Sequence, residues 1–140
     1  MLTDEVIQLY KRFRLLNYRE MFGRIREKDG SLSATEAFAA DVIYLLEKPT
    51  ITQLAETLGI SQPNATYKVN NLAAKGYVQK TVSEDDRREC RLHISEKFHN
   101  YYDTSDRFVY EAVKKLEKDY SPAELAAFAK MLRALSDAVD

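Results

Sequence analysis

A chain of 140 residues with 45% hydrophobic and 31% charged side chains is long enough to bury a core and too apolar to be a disordered tail. Its 21 basic and 22 acidic groups leave a net charge of −1, which excludes uniform attraction to a polyanion but not a local one. A single cysteine, Cys90, excludes an internal disulfide and a thiolate metal cluster.

The first element predicted is a helix from Thr3 to about Lys28. It has no proline, and Leu2, Val6, Leu9, Phe13 and Leu16 recur at alternating spacings of four and three. A second stripe, Ile7, Tyr10, Tyr18, Met21, Phe22 and Ile25, widens the apolar surface beyond one face. That suits a helix wedged between its own core and something else. "KDGS" ends it. Ser33-Ala34-Thr35-Glu36 has the pattern of a capping box and predicts a helix with Phe38, Val42, Leu45 and Leu46 on its buried side, running up to Lys48-Pro49. A short helical segment, Thr52 to Leu58, is closed by Gly59. Ser61 then caps a helix running to Lys75, with Pro63 tolerated in its first turn, and Gly76 ends it.

After Gly76 the apolar period changes to two. Val78 and Val82 flank Lys80, and Cys90, Leu92 and Ile94 alternate with Arg91, His93 and Ser95. Two strands in a hairpin are expected, joined by the turn Ser83 to Glu89, which projects. Helical spacing returns from Glu96 to Tyr120 through Phe98, Tyr102, Phe108 or Val109, Ala112 and Leu116. A second capping box, Ser121-Pro122-Ala123-Glu124, opens a last helix with Leu125, Phe128, Leu132, Leu135 and Val139 along one side. The fold class is mainly α with a small β-hairpin. Residues 1–32 are expected to form a leading helix, 33–95 a winged helix-turn-helix lobe, and 96–140 trailing helices.

Charge is unevenly distributed. Residues 1–60 carry 8 basic and 9 acidic groups, 61–95 carry 6 and 4, and 96–140 carry 7 and 9, so the middle is +2 between flanks of −1 and −2. Ser61 to Ser83 holds Lys68, Lys75 and Lys80 with no acid, and a phosphate backbone responds to that local potential.

In "ITQLAETLGISQPNATYKVNNLAAKGYV", Ala55 is the small residue where two helices meet, Gly59 marks the turn, and Leu54, Leu58, Ala65, Val69 and Leu72 form the packing set of a helix-turn-helix. At about 100° per residue, Pro63, Tyr67, Asn70 and Ala74 lie opposite the packing side, with Thr66 and Asn71 flanking. This outer face is polar, uncharged and rich in amides, and asparagine can pair with adenine through two hydrogen bonds in the major groove. Ser61, Gln62, Pro63, Asn64, Thr66, Tyr67, Asn70 and Asn71 are therefore expected to meet double-stranded DNA. Lys68, Lys75, Lys80, Arg87 and Arg88 are expected to meet its backbone or minor groove.

The same residues resemble the MarR family of bacterial transcriptional regulators, over essentially the whole length. The specific part is "NNLAAKGYVQKTVSEDDRRECRLHIS", similar to that family's Leu-x-x-x-Gly at the end of the recognition helix, then Asp-Arg-Arg and a strand ending in Leu-Thr. These are Leu72 to Gly76, Asp86-Arg87-Arg88, and Ile94-Ser95 in this chain. The resemblance implies that Asp86 braces Arg88 and that Arg88 enters the minor groove. It also implies a homodimer joined by the first and last helices. A small aromatic or lipidic effector would bind between dimer helices and DNA-binding lobe, in a pocket for which Tyr10, Tyr18, Phe22, Phe38, Tyr44 and Tyr102 are the candidates. Plain core is the alternative for each. Within the family, "NNLAAKGYV", "SEDDRR" and "RLHIS" look like regulators of fatty-acid synthesis. The chain departs from the family pattern at Asn64, Ala65, Tyr67 and Lys68, so no relative's base preference carries over.

The reading is an effector-responsive repressor that binds a pseudo-palindromic operator as a homodimer. The alternative is a winged helix that binds protein rather than DNA. Cys90 reads as a small core residue, not a redox sensor. His93 and His99 lie apart from any metal-like spacing, and no nucleophile or phosphate-loop motif points to catalysis, so no cofactor, metal or enzymatic activity is expected. "MLTDEVIQLYKRF" lacks the pattern of a secretion signal and no apolar run reaches membrane-spanning length, so the expected location is the cytoplasm, without membrane association.

Overall fold

The computed structural model describes residues 1–25, 32–82, 89–101 and 106–139. The chain divides into two compact units, Met1–Asp103 and Thr104–Asp140. The first holds helices α1 (Leu2–Ile25), α2 (Ala34–Leu45), α3 (Ile51–Leu58) and α4 (Gln62–Ala74), strands β1 (Val78–Val82) and β2 (Cys90–Ile94), and helix α5 (Glu96–Tyr101). The second holds α6 (Arg107–Asp119) and α7 (Pro122–Asp137). This is the mainly helical architecture with a two-stranded antiparallel hairpin that the change of period predicts. No helix among the described residues is long and apolar enough to cross a membrane.

The core of the first unit forms where α2, α3, α4 and the base of the hairpin meet. Leu54, Ala65, Val69, Leu72 and Leu92 are fully buried there, joined by Ile43 from α2, Met21 from α1 and Phe98 from α5. Each leucine so buried contributes about 1.5–3 kcal/mol, which makes this cluster the main source of the unit's stability. Ala55 and Ala65, both buried, are small enough to let α3 and α4 approach. Gly59 turns the chain between them at φ 66, ψ 36, a left-handed conformation that only glycine adopts without strain.

Caps fix the helix starts. Ser33 Oγ accepts from the Glu36 amide at 3.3 Å while Glu36 Oε1 accepts from the Ser33 amide at 3.0 Å, the reciprocal box the sequence predicts. Ser61 Oγ caps α4 by accepting from the Asn64 amide at 3.2 Å. A further box escapes the apolar pattern: Thr50 Oγ1 accepts from the Gln53 amide at 3.1 Å and Gln53 Oε1 from the Thr50 amide at 2.9 Å. It starts α3 at Ile51, one residue before the predicted start.

Five expectations change. Phe38, Leu45 and Leu46, expected on the buried side of α2, are exposed and Val42 is half-buried, while Ala37, Ala39, Ala40 and Ile43 fill the core. Helix α2 ends at Leu45 rather than at Lys48, because Glu47 and Lys48 adopt φ of 52° and 63°, which no right-handed helix contains. Those conformations cost about 1–2 kcal/mol each. They turn the chain so that the Pro49 carbonyl accepts the Leu92 amide at 2.9 Å and Thr50 bridges to Arg91. The helical stretch from Glu96 to Tyr120 is two helices in different units. Asp106, at φ 54, cannot continue a helix. The hairpin pairs Val78 with Ile94, Lys80 with Leu92 and Val82 with Cys90. Only its base is packed, since Val82 is exposed and Cys90 half-buried, so Cys90 is not a core residue. Finally, α1 buries Met21 alone among its described side chains, while Leu2, Ile7, Leu9, Tyr10, Phe13, Leu15, Tyr18 and Phe22 are exposed within this chain.

In the second unit Ser121 Oγ accepts from the Glu124 amide at 3.2 Å and Glu124 Oε1 accepts from the Ser121 amide at 3.0 Å, so the predicted box opens α7. Neither α6 nor α7 buries a residue. Leu116, Tyr120, Leu125, Phe128 and Met131 line an open apolar groove of about 400 Å³ between them.

Candidate nucleic-acid interface

The outer face of α4 follows from how the helix is anchored. Ala65, Val69 and Leu72 turn one side into the core, which leaves Gln62, Pro63, Asn64, Tyr67 and Asn70 exposed on the other. Tyr67 is 66% exposed, a large aromatic ring held out by a rigid helix. Thr66, Lys68 and Asn71 sit half-buried at the borders. Two hydroxyls have local work: Ser61 Oγ is the cap, and Thr66 Oγ1 donates to the Gln62 carbonyl at 2.9 Å.

Lys75 and Lys80 separate by partner. Lys80, on β1, donates its ammonium to Asn70 Oδ1 across the junction of wing and recognition helix. Lys75 Nζ donates to Glu36 Oε1 at 2.9 Å, an ion pair that ties the end of α4 to the start of α2. The Lys75 backbone carbonyl is itself held by Lys97 Nζ at 2.6 Å, and Ser95 Oγ donates to the Gly76 carbonyl at 2.6 Å. Lys75 therefore braces the fold through its ion pair with Glu36.

Burial pushes the Glu36 carboxyl up, but hydrogen bonds from Ser33 and Lys75 and the lysine charge outweigh it, so the net direction is below the ordinary carboxylate value. A carboxyl lowered on folding stabilises the fold above its unfolded pKa and loses that contribution as pH falls through the lower folded value. Lys75→Met is thus expected to destabilise the protein at pH 7 by about 1 kcal/mol, with the difference from wild type shrinking below about pH 4. Urea unfolding at both pH values checks it; a pH-independent difference would mean that Lys75 acts through packing alone.

Arg91 has a bracing role that spacing does not reveal. It pairs with Glu89, donates to the Lys48 carbonyl at 3.3 Å and reaches Gln53 Oε1 at 3.4 Å. The root of the wing is thereby locked to the start of α3. The signal in the sequence is weak: Glu89 directly precedes β2 and lies two residues from Arg91, a spacing that puts both on one face where the backbone is extended. Asp86, Arg87 and Arg88 lie outside the described residues.

The aromatic candidates fall into separate settings. Tyr10 and Tyr18 are brought together by Arg14, whose guanidinium lies 5.3 Å and 5.9 Å from their ring centres on the exposed side of α1. Lys11, Arg14, Leu15 and Tyr18 line an open recess of about 320 Å³ there. Tyr44 packs edge-on against His99 with ring centres 5.9 Å apart. Phe22 and Phe38 are exposed, and Tyr102 lies outside the described residues. Among the described residues no group of three or more histidine, cysteine, aspartate or glutamate side chains is placed to hold a metal ion.

Comparison with known proteins agrees with this geometry. The family model described as the MarR family matches residues 31–89, the segment from the start of α2 to the wing. FabT of Streptococcus pneumoniae, solved in complex with DNA, is 26% identical, with 98% of this chain and 96% of that one covered at a TM-score of 0.58. The transcriptional regulator Tm0710 of Thermotoga maritima is 19% identical, with 96% and 93% covered and a TM-score of 0.59. A cysteine-to-serine variant of MarR from E. coli, complexed with operator DNA, is 18% identical, with 96% and 98% covered at 0.53. The last two share the fold. No curated protein matches by sequence.

Proposed function

Because the chain belongs to the MarR family of transcriptional regulators, we propose that it is a sequence-specific DNA-binding repressor, acting as a homodimer on a pseudo-palindromic operator and released by an effector. The observation that carries this reading is the outer face of α4, where Gln62, Asn64, Tyr67 and Asn70 are exposed together with no acid among them and with Lys68 and Lys80 at the edges. Amides and a phenol supply the donors and acceptors that base edges need, and the lysines supply counter-charge for phosphate. For Arg87 and Arg88, which lie outside the described residues, the family resemblance supports a minor-groove contact, with Asp86 bracing Arg88.

Two features support the homodimer. Among the described residues the second unit buries none, and α1 exposes two apolar stripes. A two-fold pair would cover both, and would set two copies of α4 about 34 Å apart, one turn of the duplex. An effector bound among the exposed aromatics of α1 and α2 would alter that separation and so lower operator affinity. Selection of bound duplexes from a random library is the test, and an enriched inverted repeat is the expected result. A library that returns no enriched motif, together with a co-purifying protein, would establish the rival reading of a protein-binding winged helix.

A further inference from the structure

The hydrogen bond from Lys80 Nζ to Asn70 Oδ1 joins two elements that the sequence assigns different tasks. Register explains why it forms. Lys80 pairs with Leu92, and residues paired across an antiparallel hairpin share a face, so Lys80 stands on the inward face with Val78, Leu92 and Ile94. Its neighbours on that face are apolar and the base of the face is buried. The stem therefore runs over the strand toward α4 and delivers the ammonium to the outer side of the helix, where Asn70 lies.

This contact changes what Asn70 can read. To pair with adenine, an asparagine accepts from the N6 amino group through Oδ1 and donates to N7 through Nδ2. In this chain one of the two lone pairs of Oδ1 accepts an N–H of Lys80, and the ammonium's positive charge lies beside the place where adenine would bring its own donor. Guanine presents the opposite edge, two adjacent acceptors at O6 and N7. The Asn70 amide and the remaining ammonium hydrogens of Lys80 are all donors, so they complement that edge and repel adenine's.

We infer that Lys80 and Asn70 form one donor pair that selects guanine in each half-site, with Lys80 a specificity-determining residue of the wing strand. The inference rests on the DNA-binding reading above, and it replaces two expectations, adenine for Asn70 and phosphate for Lys80. The test is duplex selection with the full-length wild type, Lys80→Met and Asn70→Ala, each first shown to melt cooperatively. The wild type should enrich guanine at one position per half-site. Lys80→Met keeps the stem, frees Oδ1 and should shift that position toward adenine by at least tenfold, and Asn70→Ala should lose the preference there with the rest of the motif intact. Lys80→Met with unchanged base preference and a salt slope smaller by about one per protomer would make Lys80 a phosphate contact and overturn the inference. A wild type that enriches no duplex would sink the DNA-binding reading, and this inference with it.

Discussion

Leu132→Glu is expected to convert a dimer into a monomer. Leu132 lies on α7 with Phe128 and Leu135, all exposed within a single chain, in a unit that buries none of its described residues. An isolated pair of helices this short cannot bury enough surface to be stable, so the stripe requires a partner. A second copy of the chain meets that need through the proposed two-fold interface. Burying an unpaired carboxylate costs about 3–5 kcal/mol, and two-fold symmetry places two of them near each other. The dissociation constant should rise at least a thousandfold, since each 1.4 kcal/mol is about tenfold. Sedimentation velocity at micromolar concentration reads the change. Lys130→Glu, on the opposite side of α7, alters charge by two units and should leave association as it was. If Leu132→Glu sedimented as wild type does, α7 would be removed from the interface and the exposed stripes of α1 would have to carry it alone.

What the sequence makes legible is what short-range physics writes into it. Ser33, Ser61 and Ser121 announce three helix starts because a cap needs only a hydroxyl and an amide three residues away. Ala55 and Gly59 mark the helix-turn-helix for a similarly local reason. Packing across the fold is less visible. Lys75 and Lys80 look alike in the sequence, one past the end of a helix and one in a strand. Glu36, 39 residues from Lys75, turns the first into a brace, and the register of the hairpin turns the second toward Asn70. Glu47 and Lys48 show the same limit: no local preference favours their left-handed conformation, which is imposed by Pro49 docking against β2. The apolar stripes of α1 and α7 were readable as surfaces needing cover, but periodicity cannot say whether the cover lies in the same chain.

Arg88→Ala should have the largest effect on operator binding, and Asp86→Ala decides why. Both residues lie outside the described structure, while the strands that carry them are fixed: Val82 pairs with Cys90 on one side of the turn, and Arg91 holds the other side to α3. A hydrogen bond to a charged group contributes about 1.5–3 kcal/mol, so losing one in each wing weakens the dimer's binding by about a hundredfold or more. The dependence of affinity on salt should flatten, because fewer counterions are displaced. Asp86→Ala separates two accounts by sign. If the acids of the wing act only through their charge, removing one beside a polyanion raises affinity. If Asp86 holds Arg88 extended, removing it lowers affinity despite the more favourable charge, and the loss disappears in the Arg88→Ala background, where nothing is left to brace. A double-mutant cycle in a fluorescence titration measures that coupling. Tighter binding by Asp86→Ala would leave Arg88 as a groove contact and discard the brace.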